Sequence, residues 1–246
     1  MSDYDPIVVG GQCISMWVDY LAQFDREIAL LGSVSSADVD YYENPKAAEK
    51  LAESLKGNVL LPDDALNLSA NSCTVTAFVN GKRIHIDFMR EVIGVDAKNI
   101  TGRYVAIEGN FPNIETPVRL ALMHPLDCVQ SRLANIETLD RTDRWSLIQT
   151  DASFKVLRAF IDHLLSLGEV KEATRTIQQF EYVLKERFYR PYVYPFVVGR
   201  ISPIVMLNRY LDETLIDVRW RDHTLTNIIE RLAAYEETVR KRLGLA

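Results

Sequence analysis

The chain has no apolar run approaching the ~20 residues that span a bilayer, so no membrane-spanning helix is expected. Its opening, MSDYDPIVVGG, lacks a basic segment followed by an apolar one, and no secretory signal is expected. Cysteine is scarce: Cys13, Cys73 and Cys128 are odd in number and far apart. That spacing implies neither a disulfide framework nor a metal-ligand pair, and reduced thiols in a cytoplasmic protein are the expectation. Positive charge is not in excess. A net charge of -6 and a pI near 5.3 argue against a uniformly basic nucleic-acid binder, although the C-terminal half is richer in Arg. Internal repeats and low-complexity tracts are lacking, as are the GxGxxG fingerprint and the Walker loop.

What is there is ordinary globular material. The 246 residues are 48% hydrophobic and 25% charged, enough for one large domain or two smaller ones. Pro6 to Val9 is a short β-branched run that ends at Gly10-Gly11. From Gln12 to Leu31, apolar residues at Ile14, Trp17, Val18, Leu21, Phe24 and Ile28 repeat with the period of an amphipathic helix. A polar connection leads to a strand from Asp38 to Tyr42, and Asn44-Pro45 opens a helix that Gly57-Asn58 closes. Cys73 to Val79 and Arg83 to Met89 predict a hairpin around Asn80-Gly81. Tyr104 to Ile107 and Thr116 to Leu122 predict a further pair of strands around a turn at 109–113. From His124 onward the periodicity is helical, interrupted at Tyr189 to Gly199. The expected organisation is an α/β (α+β) domain over residues 1–122 and an all-helical domain over 123–246.

Three local features carry chemistry. Glycines between a strand and a helix let backbone amides approach a phosphate, although Gly10-Gly11 would equally serve a plain tight turn. In a strand, Asp38 and Asp40 project together while Val39 and Tyr41 face the other way. Two such carboxylates repel each other unless a divalent cation sits between them or both are solvated at a strand end. In Ile84-His85-Ile86-Asp87-Phe88, the apolar residues share one face, with His85 and Asp87 on the other. An ionised Asp in an apolar strand is costly unless paired or metal-bound; an edge position, or pairing with Arg83 or Arg90, is the plain alternative. His85 reads as a neighbour of the site or a surface residue rather than a ligand.

Taken in order, these features resemble the nucleotidyltransferase superfamily with its polymerase-β-like fold. The matching segments are Val9-Gly10-Gly11, Asp38-Val39-Asp40-Tyr41 and Ile86-Asp87-Phe88. Within it the chain is most similar to bacterial abortive-infection type toxins of toxin–antitoxin systems. That similarity rests on Gly10-Gly11-Gln12-Cys13 with Trp17, and on Ser36-Ala37-Asp38-Val39-Asp40. The helix after His124-Pro125 adds Gln130, Arg132 and Asn135 more loosely, with Arg141 and Asp143 beyond it. The chain departs from the group's pattern where Ser35-Ser36-Ala37 replaces a basic residue before the Asp-x-Asp, and where no helix precedes the first strand.

The resemblance implies a mixed sheet flanked by helices, followed by a helical domain. It also implies Mg²⁺ or Mn²⁺ held by Asp38, Asp40 and Asp87, with Gly10, Gly11, Ser36 and Arg132 on the phosphates. The implied reaction moves a nucleoside monophosphate from an NTP to a hydroxyl of a protein, a tRNA or a small molecule, with an antitoxin protein as a further partner and no membrane. The competing readings are a catalytically idle nucleotide-binding module of the same fold and an RNA-binding helical domain. Trp17, Trp145 and Trp220 are expected in the core. Tyr189, Tyr192 and Tyr194 beside Arg190 pack inward or form a stacking platform for bases.

Overall fold

The computed structural model describes residues 6–32, 34, 38–42, 44–62, 70–109, 115 and 117–245. The chain divides into two compact units, Met1–Ser131 and Arg132–Ala246.

The first unit is built on a seven-stranded mixed sheet. Its strands are β1 (Ile7–Val9), β2 (Val39–Tyr42), β3 (Asn58–Leu60), β4 (Asn71–Val79), β5 (Lys82–Met89), β6 (Val105–Gly109) and β7 (Val118–Leu122), in the order β3-β4-β5-β2-β1-β7-β6. β1 runs antiparallel to β2 and parallel to β7, and β2 runs parallel to β5. The β4–β5 hairpin turns at Asn80 and Gly81, both with positive φ, as an Asn-Gly turn requires. The turn expected at 109–113 falls largely outside the described residues.

Alternation decides what the sheet faces. Val39, Tyr41, Val59, Cys73, Val75, Ile84, Ile86 and Phe88 gather with Ala47, Ala48, Leu51 and Ala52 of α3 (Pro45–Ser54), and with Leu55 just after it, into one apolar cluster. α3 begins where Asn44 accepts a hydrogen bond from Ala47 N–H and Pro45 fills the first turn. Its exit differs from expectation: Lys56, not Gly57, takes the left-handed conformation. Gly57 serves close packing instead, since a Cβ there would lie 2.4 Å from the carbonyl oxygen of Thr76 and 2.9 Å from Ala77 Cβ. Gly57→Ala is therefore expected to lower stability by about 1–3 kcal/mol, read as a fall in the urea midpoint; an unchanged midpoint would mean that β3 can shift away from β4 at no cost.

The helix after β1 also departs from its predicted span. α1 (Gly10–Leu21) starts at Gly10 itself and stops early, because Asp25 caps a new short helix, α2 (Arg26–Ala29), by accepting from Ile28 N–H. Trp17 is fully buried and its indole N–H donates to Met123 O at 2.9 Å, tying α1 to the exit of β7. α4 (Ala97–Arg103), capped by Asp96, was not evident from periodicity.

From Pro125 on, the described elements are helices: α5 (Pro125–Leu139), α6 (Arg144–Ser166), α7 (Val170–Val183), α8 (Tyr194–Val197), α9 (Pro203–Asn208) and α10 (Thr226–Leu243). Two π-helical turns, Leu184–Phe188 and Trp220–Leu225, adjoin α7 and α10. The division between the units falls within α5. In the second unit Phe154, Phe180, Phe188, Tyr189 and Tyr194 form an aromatic core. Tyr189 and Tyr194 are buried and both hydroxyls donate to Glu236, which rules them out as a stacking platform. Trp145 corrects the sequence reading in the other direction, since it is 46% exposed. It sits in the first turn of α6, where Asp143 accepts from its N–H and from that of Ser146. Among the described residues, no helix is long and apolar enough to cross a membrane.

Candidate functional site

The face of the sheet opposite the α3 cluster carries the acids. Register pairs Val9 with Asp40, Asp40 with Asp87, and Asp87 with Thr74. These residues form one row across four adjacent strands and point to one side of the sheet. Neighbouring strands lie about 5 Å apart, so Asp40 and Asp87 are two carboxylates side by side on the parallel β2–β5 pair.

Gly10 sits directly against Asp40. Its φ is +68°, and a Cβ there would fall 2.3 Å from Oδ2 of Asp40. The glycine thus meets two demands at once: a left-handed backbone where the strand turns into α1, and room for a carboxylate against that turn. Gly11, next in line, is buried within α1. Gly10→Ala is expected to cost about 1–2 kcal/mol from backbone conformation alone and to push the Asp40 carboxylate out of position. Thermal unfolding together with a crystal structure of the variant would check this; an undisplaced Asp40 at unchanged stability would contradict it.

Asp87 is oriented by a neighbour that the sequence reading missed. Thr74 Oγ1 donates to Asp87 Oδ1 at 2.6 Å, which fixes the plane of the carboxylate. The signal was present in the hairpin: Thr74 and Asp87 are the sixth pair counted back from the Asn80-Gly81 turn. On the far face, burial first, and then the charges of Asp87 and Glu49, push the Cys73 thiol up, with Ser72 opposing. His85, two residues along β5 from Asp87, is exposed and pairs with Thr76.

The remaining residues of the expected set are placed less closely. Asp38 stands exposed at the bend before β2. Ser36 lies outside the described residues. Arg132 belongs to the second unit, where its guanidinium donates to Gln149 Oε1 at 2.8 Å. Asp143 is occupied as the cap of α6, and the hydrogen bond from the Ser146 hydroxyl leads in holding its carboxyl below the usual range. Among the described residues, no three or more His, Cys, Asp or Glu side chains are gathered as a metal-binding group. What the structure brings together is the pair Asp40 and Asp87 with Gly10. As a donor set these are hard oxygens of the kind that suits Mg²⁺ or Mn²⁺, which take one or two carboxylates plus phosphate oxygens and water. The residues present therefore fit such an ion.

Compared with protein-family models, curated proteins and solved structures, the chain matches none.

Proposed function

We propose that this chain is a Mg²⁺- or Mn²⁺-dependent nucleotidyltransferase that moves a nucleoside monophosphate from an NTP to a hydroxyl acceptor. One arrangement supports the reading above the others. Asp40 and Asp87 stand in register on adjacent parallel strands, with Gly10, at the start of α1, seated against Asp40. Repulsion between opposed like charges makes this a poor choice for stability alone, whereas it suits a site that holds a cation and a polyphosphate.

In this proposal Asp40 and Asp87, with Asp38, hold the ion; when bound, it neutralises triphosphate charge and acidifies the acceptor hydroxyl. The backbone amides at Gly10-Gly11 receive phosphate oxygens at the helix start. The acceptor oxygen bonds to the α-phosphorus, the bond to the β-bridging oxygen breaks, and pyrophosphate leaves with that electron pair. The hydroxyl proton passes to the carboxylate of Asp87, whose other oxygen is steadied by Thr74. The proposed fold is that of the polymerase-β-like superfamily, with the second domain helical.

The experiment is incubation with α-labelled NTPs and separate protein, RNA and small-molecule fractions. Label transfer with release of pyrophosphate, lost in Asp87→Asn, is the expected result. Nucleotide binding without either product would assign the chain to an idle module instead. Growth arrest on expression, absent for Asp40→Ala, would extend the proposal to a toxin with a partner antitoxin.

A further inference from the structure

Two of the three thiols, 115 positions apart in sequence, meet inside the first unit: Cys13 Sγ of α1 lies 3.8 Å from Cys128 Sγ of α5. Both side chains are buried, at 0% and 1% exposure. Both sulfurs also approach the same acceptor, Met123 O, at 3.6 and 3.7 Å. That carbonyl already takes the Trp17 indole N–H at 2.9 Å. A carbonyl oxygen has two lone pairs, so two S–H donors compete for what Trp17 leaves. The carbonyl is itself fixed, because Met123 N–H donates to Val8 O at 3.0 Å.

We propose that Cys13 and Cys128 are a redox-active dithiol that closes to an intrachain disulfide when oxidised by a hydroperoxide. The sulfurs are in van der Waals contact, and bonding at about 2.05 Å needs an approach of about 1.8 Å shared between two side chains. One thiolate attacks a peroxide oxygen, giving a sulfenic acid and water; the second thiol attacks that sulfur and releases a second water. Two electrons pass from the sulfurs to the O–O bond, so two thiols and one hydrogen peroxide yield one disulfide and two waters. The product is a covalent latch between the first turns of α1 and α5, just beyond Gly10-Gly11. Cys73 has a different setting: it is buried in the α3 cluster on the sheet and serves as the internal control.

The test uses the full chain, reduced, freed of reductant and treated with hydrogen peroxide. It is then unfolded, alkylated, digested without reductant and mapped by mass spectrometry. The expected result is a linked peptide containing Cys13 and Cys128, reversed by dithiothreitol, with the thiol titre of the unfolded chain falling from three to about one. Cys73→Ser should keep the linked peptide. Cys13→Ser and Cys128→Ser, each checked for folding by circular dichroism, should lose it and leave the remaining partner as a sulfinic acid. Recovery of Cys13 and Cys128 as free thiols or as separate higher oxides in the folded wild type would overturn the proposal, as would linkage through Cys73 in equal yield. None of these readouts depends on nucleotide transfer.

Discussion

Asp40→Asn is expected to lower nucleotide transfer by about a thousandfold while leaving the fold as stable as before or slightly more stable. The two effects share one cause. Asp40 and Asp87 are opposed in register on β2 and β5, and like charges in that position are destabilising by some tenths of a kcal/mol, up to about 1. Asn keeps the shape and removes the charge, so the repulsion goes. The same charge is what the proposed cation requires. Weakening its hold by several kcal/mol translates into roughly three powers of ten in rate. A ligand that binds the native state raises its melting temperature. Mg²⁺ with NTP should therefore stabilise the wild type and fail to stabilise the variant. If the variant melted well below wild type without Mg²⁺, Asp40 would be a structural residue. If Mg²⁺ with NTP stabilised both equally, the ion would not be held there.

The parts of this site that were legible in the sequence are those set by local periodicity. Alternation alone placed Val39, Tyr41, Ile86 and Phe88 opposite the acids, and the α3 cluster gathers those residues. Asn80-Gly81 fixed the hairpin register, and Thr74 with it, because a two-residue turn leaves no freedom in pairing. The alignment of Asp40 with Asp87 was not legible, since nothing local to either strand states that β2 and β5 are parallel neighbours. The threefold use of Met123 O, by Trp17, Cys13 and Cys128, is equally non-local, as is the bond from Met123 N–H to Val8 O of β1. Helical spacing at Trp145 predicted a core residue, but periodicity says which face a side chain takes, not whether a partner covers it. The α1 break at Asp25 came from a cap competing with a continuing apolar stripe, and the cap prevailed.

Arg103→Ala carries the second large effect, and its pH dependence separates charge from packing. Asp127, in the first turn of α5, has a fully buried side chain held by Arg103 through two hydrogen bonds, one from Nε at 2.8 Å. Burial outweighs the hydrogen bonding and charge of Arg103, so the Asp127 carboxyl lies above its ordinary value even with its partner present. A raised folded-state value means that the native chain holds this proton more tightly than the unfolded chain. The associated stability is fully present in acid and is lost as pH rises through the folded value. Removing Arg103 deletes both influences that lower the value, so the carboxyl moves further up and an unpaired buried charge is left at neutral pH. Breaking a buried pair in this way costs about 3–5 kcal/mol. The deficit relative to wild type should be largest near neutrality and should shrink on acidification, as Asp127 takes up its proton. Adding Asp127→Asn to Arg103→Ala should recover part of the loss at neutral pH and remove most of its pH dependence. Urea denaturation across a pH series is the measurement. A deficit that stays constant with pH would show that Arg103 acts through its packing against α5, not through the charge it offers Asp127.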